Sequence, residues 1–393
     1  MTIKLFHQCG HNANWNKDSF LNDDCGDGLI LSPVHQNRTN IESMSSDIKS
    51  LSFFDPQYYL PSSQKKKLKT YDFFPESISN GFATVDFSMH SLESAKQCID
   101  FQIQQDFERI IIPARHFSEM EPDYTEKQDV YTVHPFLKAI DDIGTDKRIF
   151  LTVPLTAAML RHEGYRTNIL NWITSYPRID GVYLLVEDSR TTKQIQDAEY
   201  LKDYLKAVKE LSDAGLVVTV GHTNTEGLLF SMIENCEISF GAYENTRMFS
   251  VDKFVVSDEE RRGPKARMYL PGLFNWIHFS HAKQIKEGLP RVWEKIYSET
   301  SYAEEVLAAA AEPYFNQPGL YKHYFLTFQE QISELSDLSI VDRYTWLRAK
   351  LLEAEDLYDE ISRWPLDLDR HGKGDHINPW LDVINWYSRE YLS

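Results

Sequence analysis

Acids, histidines and arginines follow short apolar runs throughout the first 250 residues of this chain. In FFDPQYYLP (53–61), Asp55 leaves an apolar run directly before a proline. Pro56 holds it extended, so its carboxylate departs in a set direction. The flanking aromatic residues are expected to desolvate it and raise its pKa, as a general acid or base requires. Asp86 stands similarly in TVDFS (84–88), where the plain alternative is a helix cap. Glu187 and Asp188 close VYLLVED (182–188). Neighbours on a strand face opposite sides, so one of them, Glu187, is expected to face inward. His222, in GHTNTEG (221–227), suits a general base or a positioning donor. The polar run Glu244, Asn245, Arg247 follows a further apolar stretch. Asp55, Asp86, Glu187, His222 and Glu244 are the catalytic candidates. Gln57, Tyr58, Arg115, Asn245 and Arg247 are the substrate-binding ones. The planar fork of Arg115 matches a phosphate or carboxylate, the alternative being an ion pair with Asp55 or Asp86.

Such residues converge only if the elements beneath them close on themselves. Eight apolar segments begin at Gly28, Leu51, Phe82, Arg109, Arg148, Gly181, Leu216 and Glu237, 21 to 39 residues apart. That spacing holds a strand, a crossover helix and two loops. Several segments are near-continuous Ile, Leu, Val and Phe, as strands buried on both faces are. Between them, Leu92, Ala95, Cys98, Ile99 and Ile103 share one helical face, Gly215 ends another helix, and residues 223–235 predict a third. No GxGxxG follows any strand, so an α/β chain of the (β/α)8 barrel type is expected over residues 28–252, rather than an open doubly wound sheet. Residues 1–27, with IKLFHQCG (3–10), read as an extra strand and lead-in. Residues 253–393 read as a mostly helical extension packed on the barrel through aromatics such as Trp276, Trp293, Tyr324 and Trp346. Barrel active sites lie at the C-terminal ends of the strands. That rule also admits His35, His116, Thr156 and Asn224.

Composition narrows the chemistry. The chain has 393 residues, with 41 Lys plus Arg against 59 Asp plus Glu, a net charge of −18. That balance disfavours a general nucleic-acid coat while allowing a local basic groove. The run RRGPKAR (261–267) is one candidate for a phosphate backbone. No 18-residue apolar stretch predicts a membrane span, and no long apolar leader is visible. Cys9, Cys25, Cys98 and Cys236 are scattered, which predicts reduced thiols in a cytoplasmic protein and neither a zinc site nor a disulfide framework. No cofactor or bound metal is expected. SPVHQ (32–36) lacks the His-x-His of metal-dependent amidohydrolases, and no predicted strand carries a Schiff-base lysine. Arg115 and His222 occupy the strand ends where the commonest barrel glycosidases place carboxylates. In DRHGKGDHINPW (369–380) the glycines lack phosphate-loop spacing, so this reads as a loop before a docking helix.

The order of these features resembles the tRNA-guanine transglycosylase-like barrels. FDPQYY (54–59) stands where that family carries an early aspartate, and CEISFGAYENTRMF (236–249) where its late strand lies, Thr246 and Arg247 matching a Thr-Arg pair. The family nucleophile position falls on Gly241, with Glu244 the nearest acid, and the zinc cysteines and the Ser-Gly-Gly after the early aspartate are missing. The resemblance implies a barrel adapted to nucleobases or glycosidic bonds. Sequence reading thus favours an enzyme of glycosidase or glycosyltransferase type acting on a glycosidic or nucleoside-like bond in a small-molecule or nucleotide-like substrate. Its alternatives are a non-catalytic barrel in a multi-protein assembly or homo-oligomer, and a metal-assisted hydrolase built on Asp55, Asp86, Glu187 and His222.

Overall fold

A computed structural model describes residues 2–256 and 263–392. Eight parallel strands form the central sheet: β1 (Leu5–Gln8), β2 (Gly28–Leu31), β3 (Phe53–Phe54), β4 (Arg109–Ile112), β5 (Arg148–Thr156), β6 (Gly181–Glu187), β7 (Val217–Val220) and β8 (Cys236–Gly241). Their order is β3-β2-β1-β8-β7-β6-β5-β4, so β3 and β4 are its two ends. A backbone hydrogen bond of 2.9 Å from Glu108 N–H to the Ser52 carbonyl bridges those ends. The result is a nearly closed (β/α)8 barrel. Its strands are buried almost throughout, which is why they read as continuous apolar runs.

Two strand assignments change. The segment IKLFHQCG is no extra strand: β1 pairs in parallel with β2 on one side and β8 on the other, completing the barrel. The segment from Phe82 is no strand at all. A tight turn over Asn80–Phe82, with Gly81 at φ 68°, runs through exposed residues 83–86 into the helix Phe87–Gln104. Val85 is 100% exposed there, so its β-branched run has no apolar partner to reward pairing. One strand is gained and one lost, so numbering from β4 onward is unchanged. The true first strand and its exit, LFHQCGH (5–11), has no His-x-His either.

The helices take up the expected faces, with Ala95, Cys98 and Ile99 buried and Gly215 at φ 89° just past the helix Ala198–Asp213. Residues Thr225–Met232 form a 3-10 segment buried all round, not an amphipathic α-helix. Beyond the barrel, an antiparallel hairpin, β9 (Arg267–Leu270) and β10 (Asn275–His278), replaces the helix expected around Trp276. Six helices follow, the last being Ile377–Tyr391. Aromatic packing ties this region to the barrel, with Phe325 against Phe240 of β8 at 5.2 Å and Trp380 Nε1 donating to the Ile195 carbonyl at 2.8 Å. No helix among the described residues is long and apolar enough to cross a membrane. All four cysteines are buried free thiols.

Candidate active site

Asp55 leaves β3 in a turn that its own side chain stabilises. Its Oδ1 accepts from the Gln57 N–H at 3.1 Å, and Gln57 adopts a left-handed φ of 58°. Its Oδ2 accepts from Tyr59 Oη–H at 2.8 Å. Burial of the carboxyl, opposed only in part by these hydrogen bonds and by Lys253, pushes its pKa up to about 6. Gln57 and Tyr58 are fully buried. Gln57 bonds Ser32 and the Val34 N–H, and Tyr58 bonds the Phe73 carbonyl and Ser94. Both build the wall behind Asp55, where sequence reading had them facing a substrate.

Phe249 gathers the other groups around Asp55. Its ring lies 5.1 Å from Tyr59, 5.8 Å from His116 and 5.6 Å from His222. Glu187 at the end of β6 bridges to Phe249 through the backbone, accepts from Val251 N–H at 2.9 Å, and places Oε2 3.0 Å from His116 Nε2. Burial works against its ionisation, but His116 and the Val251 N–H together outweigh it and hold the carboxyl below its usual range. His222 follows Gly221, where a Cβ would stand 2.4 Å from Leu185 Cδ2 and 2.5 Å from Tyr183 Cε2, so only glycine fits. His222 itself is held at φ 56°, a strained conformation for a residue with a Cβ. Its Nε2 lies 3.1 Å from Lys253 Nζ. Burial, reinforced by Lys253, keeps the imidazole neutral well below its ordinary range. Burial also lowers Lys253 to about 7, although Asp55 and Glu187 pull the other way. His35, after β2, is lowered to about 3 by burial and by nearby Lys253.

The remaining candidates lie apart from this cluster. Asp86 is exposed at the start of the helix Phe87–Gln104 and makes no side-chain capping bond; its segment is not a strand, so it is not carried to the barrel mouth. Arg115 pairs with neither Asp55 nor Asp86 among the described residues. Its guanidinium covers Tyr131 at 3.4 Å and donates to the Gly81 carbonyl at 3.2 Å, and burial lowers its pKa to about 10. Thr156 caps the helix Ala157–Arg161. Glu244 and Asn245 are exposed, Glu244 pairing with Lys193. Arg247 and Asn224 are buried and line a cavity beside the loops after β6 and β8. Arg261 and Arg262 of the basic run lie outside the described residues, whereas Lys265 and Arg267 line that cavity.

Sequence reading missed Lys253, Phe249 and Lys193. A search confined to strand ends stops short of Lys253, which reaches the mouth from twelve residues beyond Gly241. The ligand set of the metal-assisted alternative is not assembled: Asp86 is exposed, an amine faces His222, and Asp55, Glu187 and His222 do not all bring ligand atoms within 4.8 Å of one another. Among the described residues, His278, His281 and Asp369 bring ligand atoms within 4.8 Å of one another. Arg267 Nη2 donates to His278 Nε2 at 2.8 Å and pairs with Asp369, so a guanidinium already occupies acceptors that a metal would share. Comparison of the chain with protein-family models, curated proteins and solved structures gives no match.

Proposed function

We propose that the barrel mouth is an acid–base active site that breaks or transfers a glycosidic or nucleoside-like bond. One observation carries this reading. Two carboxyl groups around the same Phe249 and Lys253 are driven in opposite directions, Asp55 up to about 6 and Glu187 down. Separated carboxyl pKa values divide the work of such a reaction. Asp55, which keeps its proton up to about pH 6, delivers a proton to the leaving group. Glu187, ionised and steadied by His116, stabilises positive charge developing on the sugar ring. Neutral His222 beside Lys253 is placed to position a polar group of the substrate. The tRNA-guanine transglycosylase-like resemblance agrees on the early aspartate and not on the nucleophile, so the reading stays with bond class and leaves the acceptor open.

The test is turnover of nucleosides, nucleotides and aryl glycosides, followed by release of free base, aglycone or reducing sugar. Asp55→Asn and Glu187→Gln should each lower kcat by about 10²- to 10⁴-fold. Wild-type kcat should fall as pH rises past about 6, because the acid form of Asp55 is lost. A turnover that both variants retain would sink the assignment.

A further inference from the structure

Beside the catalytic cluster lies a separate cavity of about 550 Å³, framed by the loops after β6, β7 and β8, by the entry to β9, and by the loop at residues 369–371. That volume suits a small ligand. Its lining holds Arg190, Lys193, Arg247, Lys265 and Arg267 against two carboxylates, Glu244 and Asp369, in a chain whose net charge is −18. Three of the cations have ion-pair partners: Arg190 with Asp188 at 3.0 Å, Lys193 with Glu244, and Arg267 with Asp369, although Arg190 Nε is left without a hydrogen-bond partner among the described residues. Arg247 has no ion-pair partner among the described residues. It is only 5% exposed, yet among the described residues neither its Nε nor its Nη1 has a hydrogen-bond partner. Its guanidinium carbon lies over Trp276 at 3.9 Å from the ring centroid and over Tyr324 at 5.6 Å. Rings over its faces leave the edge of the fork, with its N–H donors, for a planar or tetrahedral oxyanion. Lys265, with no ion-pair partner among the described residues, and His371 stand at the same cavity.

We infer that this cavity binds the phosphate group of a small phosphorylated molecule, a sugar phosphate or nucleotide, with Arg247 supplying the fork and Lys265 the surrounding charge. The overall acidity of the chain opposes a long polyanion and favours a single compact phosphate. As a substrate class this rests on the proposed acid–base reading, since the same loops frame both sites; as a binding site it does not. The lowered pKa of Lys193, about 7, has the matching cause: burial first, then Arg267 and Arg247.

Calorimetric titration with inorganic phosphate, a nucleoside 5′-monophosphate and a short oligonucleotide lacking terminal phosphates tests it. Inorganic phosphate and the monophosphate should bind saturably to the wild type. Arg247→Gln should weaken both by about tenfold or more, while Asp55→Asn leaves phosphate affinity within about twofold. If Arg247→Gln fails to fold, Lys265→Gln takes its place and should weaken binding in the same direction. No saturable phosphate binding, or binding indifferent to the substituted cation, overturns the inference. So does an oligonucleotide that outcompetes the monophosphate at this cavity. Phosphate binding needs no turnover, so its loss condemns the cavity while leaving the role of Asp55 standing. Phosphate binding without Asp55-dependent turnover does the reverse.

Discussion

Asp55 carries both a chemical opportunity and a cost to folding. Its carboxyl is fully buried and is held near pKa 6, against about 3.9 in an unfolded chain. A raised carboxyl pKa favours the fold below the unfolded value and withdraws that support as pH climbs through the folded value. At pH 7 the difference is about 3 kcal/mol. Asp55→Asn should therefore gain stability relative to wild type between pH 4 and pH 7, while losing activity. Urea midpoints at both pH values check this, and a variant equally destabilised at both would show the carboxylate is not under strain. Asp55 was legible in the sequence because its Asp-Pro pair and aromatic neighbours are adjacent in the chain. Lys253 was not, because it touches His222 from a loop 31 residues later.

At the level of elements, the barrel's other end shows what holds the strands together. Arg109 at the start of β4 forms a two-pronged pair with Glu237 of β8, at 2.6 and 3.0 Å, and Thr219 of β7 donates to the same carboxylate at 2.6 Å. Phe6, Phe53 and Phe150, from β1, the start of β3 and β5, enclose the guanidinium at 4.2 to 5.1 Å. Removing Arg109 strands the Glu237 carboxylate in the core, whereas removing Glu237 leaves Arg109 its pair with Glu108. Arg109→Met should cost about 3–5 kcal/mol and Glu237→Gln less, and joint replacement by Met and Leu should cost less than Arg109→Met alone. Equilibrium urea unfolding of the three variants decides it; additive losses would mean the pair is not coupled. The strand pattern foretold most of this scaffold. It misplaced one stave because TVDFS has local β character with nothing to pack against, while LFHQ carries two buried polar residues. His7 meets the Cys25 carbonyl and Asn16, and Gln8 Oε1 accepts from Tyr183 Oη–H, partners no local pattern reveals.

For the molecule as a whole, several histidines are buried in neutral form. Burial lowers His7 and His376 to about 3 and His323 to about 4. Each has a folded pKa below its unfolded value near 6.5, so the unfolded chain takes up more protons as pH falls. The stability they lend is full above about 6.5 and drains away toward pH 3 to 4. Asp55 works against that trend only between about 4 and 6. Denaturation midpoints should thus fall steadily from pH 7 to pH 4, and replacing His376 by Phe should flatten the slope. A slope that the substitution leaves unchanged would assign acid sensitivity elsewhere.

The sequence by itself determined the class of fold, the apolar staves from β2 to β8, the strand ends where polar groups emerge, and a helical extension. These follow from periodicity and burial, which are local properties of a chain. Tertiary structure alone decided which strand closes the barrel, which acids share a mouth and which stay in solvent. It also decided that Arg247 lies over Trp276 without an acidic partner among the described residues, in a cavity completed by residues 369–371. Those outcomes depend on which distant segments exclude water from a given charge, and desolvation is set in space rather than along the chain.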